Sequence, residues 1–127
     1  MQRALLLLAH LALSGGALTA PGAAFGPIAV PPPLLDRLNA AGFFRPTPIQ
    51  CAAMPLIADG ENVVLHAATG SGKTLAFLVP LIAAICADDA AHPPDARPPV
   101  ELLLVSPSQE LTVQLAHEAE RLLGAPD

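Results

Sequence analysis

An α/β fold with parallel strands is the fold class this sequence predicts, and three observations predict it. Two short aliphatic runs, Asn62–Ala67 (NVVLHA) and Val100–Val105 (VELLLV), suit strands buried on both faces of a sheet. A stretch with helical periodicity follows each run. A Gly-rich turn, Gly70–Gly72, joins the first run to its helix. Strand, helix, strand, helix in that order requires a crossover, and the crossover implies parallel pairing of right-handed connection.

The elements follow in order along the chain. Residues 1–24 stand apart: Arg3 gives a positive start, Ala4–Leu13 is an apolar run broken by His10, and Ser14–Ala24 is small and Gly-rich. That succession is the pattern of a signal peptide, with Gly22-Ala23-Ala24 as a small-x-small cleavage site before Phe25. The run is too short to span a bilayer as a lone helix, so no stable membrane insertion is expected. The block points to an organelle or the secretory route; were it a gene-model artefact, the cytoplasm or nucleus would follow instead. The domain boundary therefore falls between residues 24 and 25.

After it, Pro31–Pro33 open a periodic stretch (Leu34, Leu35, Leu38, Ala41) that stops at Gly42, a helix with Pro at its start and Gly past its end. Thr47 caps the next helix, with Pro48 in its first position; Pro55 disturbs it and Gly60 ends it. An apolar helix runs from about Lys73 to Ala87, kinked at Pro80. A Pro-Asp-Ala loop, 87–99, leads to the second strand. Ser106-Pro107-Ser108-Gln109 then starts an amphipathic helix, Gln109–Leu123, in a capping-box pattern.

Composition narrows the function. The chain has 127 residues, room for one small domain, and is 53% apolar, so it is not a disordered segment. Its formal charge of −5 argues against binding nucleic acid through bulk positive charge. Cys51 and Cys86 form no disulfide framework, and the four histidines lie at least 25 positions apart, without metal-ligand spacing. Lys73 is the only lysine.

That lysine sits in Ala67-Ala68-Thr69-Gly70-Ser71-Gly72-Lys73-Thr74, between a predicted strand and a predicted helix. This is the phosphate-binding P-loop pattern, with Ala67 where the simplest consensus has Gly. Gly70 and Gly72 let the backbone turn so that the N–H groups of Ala68 to Thr74 converge on a phosphate. The helix start adds about half a positive charge. Lys73 can span the β- and γ-phosphates, and the Thr74 hydroxyl can ligate Mg²⁺; these two are the candidate catalytic residues. A Gly-rich turn without function is the bland reading, and the strand before, the helix after and the single lysine outweigh it.

Upstream, Gly42-Phe43-Phe44-Arg45-Pro46-Thr47-Pro48-Ile49-Gln50 closely resembles the Q motif of DEAD-box RNA helicases, and Phe25 stands 17 residues before Gly42, where that family places an isolated aromatic. ATGSGKT followed by LAFLVP resembles the family's first helicase motif, and Ser106–Leu111 resembles its motif Ia, usually Pro-Thr-Arg-Glu-Leu-Ala. The resemblance runs from about Phe25 to the end of the sequence and implies an incomplete RecA-like P-loop NTPase domain over residues 25–127. It implies ATP and Mg²⁺ as cofactors and an adenine pocket in which Gln50 accepts from N6–H and donates to N7, Phe25 and Phe43 supply aromatic surface, and Thr47 contacts the P-loop. Thr47-x-x-Gln50 also matches a plain capping box, an alternative the residues leave open.

Motif Ia implies RNA contacts at Pro107, Ser108 and Gln109. Gln109 stands where the family has Arg, so RNA binding by these residues is expected to be weak. No Asp-Glu-Ala-Asp sequence is present, nor the family's second RecA-like domain with its arginine fingers, so turnover by these residues alone is not expected. The readings that remain are the ATP-binding front part of a helicase that couples ATP hydrolysis to RNA duplex unwinding, a catalytically inactive stand-alone ATP-binding module, and another P-loop enzyme such as a kinase or GTPase. Two parallel strands with so few helices cannot be covered on both faces, which predicts a molten or insoluble 25–127 fragment. Protein partners are not readable from the sequence.

Overall fold

The structure is a computed structural model and describes residues 23–91, 93 and 100–124. The signal-like run before Ala23 lies outside them. The described chain begins with a small antiparallel hairpin, β1 (Ala24–Phe25) and β2 (Ile28–Ala29), in which Ala24 faces Ala29 and Phe25 faces Ile28. Four helices follow: α1 (Pro32–Ala40), α2 (Pro48–Ala58), α3 (Lys73–Ala91) and α4 (Gln109–Leu123).

Local chemistry explains their limits. Prolines occupy the first turn of α1, where a missing N–H costs nothing. Its end is a Schellman closure: Gly42 N–H donates to Asn39 O at 2.9 Å and Phe43 N–H to Leu38 O at 2.8 Å. The same pair of bonds ends α2, from Gly60 to Ile57 and from Glu61 to Leu56. Helix α2 continues through Pro55, and α3 continues through Pro80 to Ala91, four residues beyond the predicted end. Both prolines are tolerated because packing holds the helices; Pro80 is itself buried.

The core forms where these helices meet the hairpin. Leu34 and Leu38 of α1 and Met54 of α2 pack with Leu75, Leu78, Val79 and Ile82 of α3; Phe25, Ile28 and Val30 seal one side and Leu122 of α4 the other. Helix α3 is long and apolar enough to cross a membrane by length and composition, but here Leu75, Leu78, Val79 and Ile82 on it are buried in this core. Arg37 ties α1 to α4 by donating from Nη1 to Leu122 O at 3.0 Å. Cys86 lies beside this cluster, and burial pushes its thiol above the ordinary range, with Arg37 offsetting only part of the effect. Cys51 is exposed. Thiol titration at neutral pH should therefore label Cys51 first and Cys86 at least about tenfold more slowly, because the thiolate is the reactive form.

The structure corrects the strand prediction. Asn62–Ala67 and Val100–Val105 are not assigned as strands, and the one strand pair among the described residues is the antiparallel hairpin, so the expected parallel ladder is not formed. Both segments keep the period of a strand. Val63, Leu65 and Ala67 are partly buried while Asn62, Val64 and His66 are exposed; Leu102 and Leu104 alternate likewise with Leu103 and Val105. The physical reason is that neither segment has a neighbouring strand to exchange hydrogen bonds with. Their outer faces expose large aliphatic side chains: Val64 is 95% exposed and Leu103 66%. A cleft of about 440 Å³ lined by Ile85, Leu102, Leu104, Ala119 and Leu123 opens between the second segment, α3 and α4. Val64→Lys with Leu103→Lys should suppress light scattering at high concentration and leave the thermal midpoint within a degree or two, since neither side chain is in the core.

Candidate nucleotide site

The site is assembled from two places in the sequence, the start of α2 and the turn that leads into α3. Gly70 (φ 78°) and Gly72 (φ 92°) take the left-handed backbone that returns the chain onto the α3 N-terminus. Ser71 N–H donates to Ala68 O at 3.3 Å, and the Gly72 carbonyl accepts the first bond of α3, from Ala76 N–H at 3.1 Å. The Lys73 ammonium folds into the loop and donates to Ala67 O and Ala68 O, both at 2.7 Å. Its charge is thus held over the loop, where a phosphate would meet it. Thr74 follows in the first turn of α3, partly buried. Ser71 Oγ is buried and has no hydrogen-bond partner, an orphaned hydroxyl inside the loop.

The α2 start clamps this loop. Thr47 Oγ1 donates to Ser71 O at 2.9 Å. Gln50 is 3% exposed, and both ends of its carboxamide are engaged. Oε1 accepts from Thr47 N–H at 2.8 Å, the capping-box bond, and Nε2 donates to Gly72 O at 3.0 Å. The capping-box reading of Thr47-x-x-Gln50 is realised, and Gln50 reaches the P-loop with the same amide. A carboxamide oxygen has a second lone pair, and the nitrogen a second hydrogen. The carboxamide cannot flip without setting N–H against N–H and O against O, so its orientation is fixed.

The structure brings Thr47, Gln50, Ala68, Ser71, Gly72 and Lys73 together through these contacts, with Thr69, Gly70 and Thr74 in the same loop. Phe25 and Phe43 take no part in these hydrogen bonds. Phe25 is 2% exposed and belongs to the core, where it anchors the hairpin. Phe43 packs against the core too, with the Arg121 guanidinium 5.5 Å from its ring centroid. Sequence reasoning missed the carbonyls of Ala67, Ala68 and Gly72 as partners, because main-chain acceptors leave no mark in residue types.

At the motif Ia-like segment, α4 begins at Gln109 with Ser108 as cap. Its Oγ accepts from Leu111 N–H at 3.3 Å, a single cap in place of the predicted Ser106–Gln109 box. The Glu110 carboxyl is held below the usual range by its own backbone N–H and by Ser108. Pro107, Ser108 and Gln109 lie together at the helix start, with no basic side chain from 106 to 111.

Taken together, a strand-like segment running through ATGSGKT into a helix, with its lysine over the loop, defines a P-loop nucleotide-binding α/β domain. The family follows from comparison with known proteins. Residues 47–126 match the DEAD/DEAH box helicase family model, and the chain belongs to that family. It is 40% identical over 109 residues to DEAD-box ATP-dependent RNA helicase 47A of Oryza sativa subsp. japonica, covering 81% of this chain and 18% of that protein. To DEAD-box ATP-dependent RNA helicase 47, mitochondrial, of Arabidopsis thaliana it is 40% identical over 105 residues, 79% of this chain and 19% of the relative. Among solved structures it is similar to a DEAD box protein from the hyperthermophile Methanococcus jannaschii, with a TM-score of 0.63 and 32% identity over 80% of this chain and 26% of that one. The chain thus carries part of the RecA-like α/β fold and spans about a fifth of the length of the curated relatives it matches.

Proposed function

We propose that this chain is the ATP-binding front part of a DEAD-box RNA helicase, which in the whole protein couples ATP binding and hydrolysis to the unwinding of RNA duplexes. The observation that carries the reading is the Gln50 carboxamide pinned between Thr47 N–H and Gly72 C=O, one clamp shared by base and phosphate recognition. Adenine completes its spare acceptor and donor. Guanine presents O6 to the Gln50 oxygen, while its N7 still accepts from Nε2, so the oxygen alone is left unpaired, at about 1–3 kcal/mol. ATP is then favoured over GTP by about 10- to 100-fold. The residues fit a nucleotide–metal pair: the Ser71 hydroxyl in the loop has no partner, the α3 N-terminus follows at Lys73, and Thr74 is the hydroxyl that would hold Mg²⁺. Bound there, the ion supplies charge neutralisation to the β- and γ-phosphates. Lys73 supplies the fixed cation.

RNA contact is assigned to the main-chain N–H groups at Pro107–Gln109, less Pro107, which has none. With Gln109 uncharged and Glu110 ionised at the same helix start, these residues hold RNA weakly and with a shallow salt dependence. The name of one relative includes a mitochondrial location, which supports an organelle reading of the signal-like segment.

Titration with fluorescent ATP and GTP analogues tests the proposal. The parent should prefer ATP by the factor above, and Gln50→Ala should bring the two nucleotides to within about threefold of each other. An unchanged ATP preference in that variant removes the pocket assignment.

A further inference from the structure

The bond that the sequence marks for leader removal, Ala24–Phe25, lies inside the folded hairpin. Ala24 is paired with Ala29 and Phe25 with Ile28, and the Ala23 carbonyl accepts from Val30 N–H at 3.1 Å. Phe25, Ile28 and Val30 are 2%, 8% and 5% exposed and form one wall of the core. The turn that follows the bond is fixed as well. Gly26 has φ 60°, and a Cβ placed on it would lie 2.4 Å from Pro46 Cγ, so the turn is seated directly on Pro46. Pro46 is the residue before Thr47, whose hydroxyl holds the P-loop.

We infer that the amino-terminal boundary of the nucleotide-binding domain lies at or before Ala23, so that the Ala24–Phe25 bond is concealed from peptidases once the chain has folded. Hydrolysis there would add water across the amide, leaving a carboxylate on Ala24 and an ammonium on Phe25. The departing piece would take with it the Ala23 carbonyl and the Ala24 ladder position. The new ammonium would replace a neutral amide at a residue that is 2% exposed, which carries a desolvation penalty. A peptidase also needs several residues on each side of the bond in extended form, and the Gly26-Pro27 turn prevents that until the hairpin opens. The inference stands on the hairpin alone and does not depend on which nucleotide the loop takes.

Limited digestion of the full chain with elastase, which cuts after alanine, tests it by intact mass. No fragment starting at Phe25 should accumulate from the parent, while Gly26→Val, which loses both the turn conformation and the fit against Pro46, should yield it at least about tenfold faster. Equal rates overturn the inference. Because Gly26→Val can unfold more than the hairpin, amino-terminal sequencing of the protein recovered from cells that carry the import machinery gives the second readout. A first residue at Ala23 or earlier supports the inference; a first residue at Ala24, Phe25 or beyond overturns it.

Discussion

Gly72→Ala should abolish ATP binding and lower the stability of the domain together. At φ 92° any side chain is strained, and the new Cβ would lie 2.4 Å from Gln50 Nε2 and 3.2 Å from Thr47 Oγ1. Both atoms belong to the clamp and neither can yield freely: Nε2 is bonded to Gly72 O, and Oγ1 to Ser71 O. The variant must give up one or both bonds and leave a buried amide partly unpaired. Backbone strain of about 1–2 kcal/mol and a buried unpaired group of about 1–3 kcal/mol add to a loss of roughly 2–5 kcal/mol. Gly60→Ala is the matched control. Gly60 has φ 81° but open space around it, so it carries the strain without the collision. Thermal melts should show a smaller loss for Gly60→Ala, and a nucleotide titration should show ATP binding intact in that variant and absent in Gly72→Ala. Equal effects of the two would mean that the clamp does not matter to the loop.

The clamp also marks how far the sequence could be read. Wherever the chemistry resides in residue type and spacing, the pattern gave the element. The Pro31–Pro33 start of α1, the Thr47 cap followed by Pro48, and the Gly-x-Gly-Lys turn all appear where their stereochemistry demands them. The strands failed because a strand is a relation between segments. NVVLHA and VELLLV retain the alternating burial of strands, yet pairing depends on neighbours that no property of either run specifies. The distance of Phe25 from Gly42 gave no sign that this residue pairs with Ile28 in a hairpin and joins the core. The hairpin itself escaped notice because β1 and β2 are two residues each, too short for any periodicity. The spacing of Thr47 and Gln50 showed the capping box but not that the other end of the same amide holds the Gly72 carbonyl, a main-chain partner without a mark in residue type.

Lys73→Ala should weaken ATP binding by at least about 100-fold while the protein stays folded. The ammonium sits at 2.7 Å from two main-chain carbonyls, Ala67 O and Ala68 O, so its geometry is set before a phosphate arrives. Charge-assisted hydrogen bonds are each worth about 1.5–3 kcal/mol, and an ammonium has three donors; a triphosphate would exchange neutral acceptors for anionic ones at the same cation. Removing the side chain frees carbonyls at the loop surface, where water can reach them, so the folding cost is small beside the loss in binding. Lys73→Arg separates charge from shape. A planar guanidinium keeps the charge but cannot converge on two adjacent carbonyls as a compact ammonium does, and it should recover no more than about a tenth of the parent affinity. Isothermal titration with ATP, paired with circular dichroism to show that each variant is folded, checks both expectations. ATP affinity unchanged in folded Lys73→Ala would mean that the loop does not bind the phosphates, and the Gln50 clamp would then be a structural brace between α2 and α3 and nothing more.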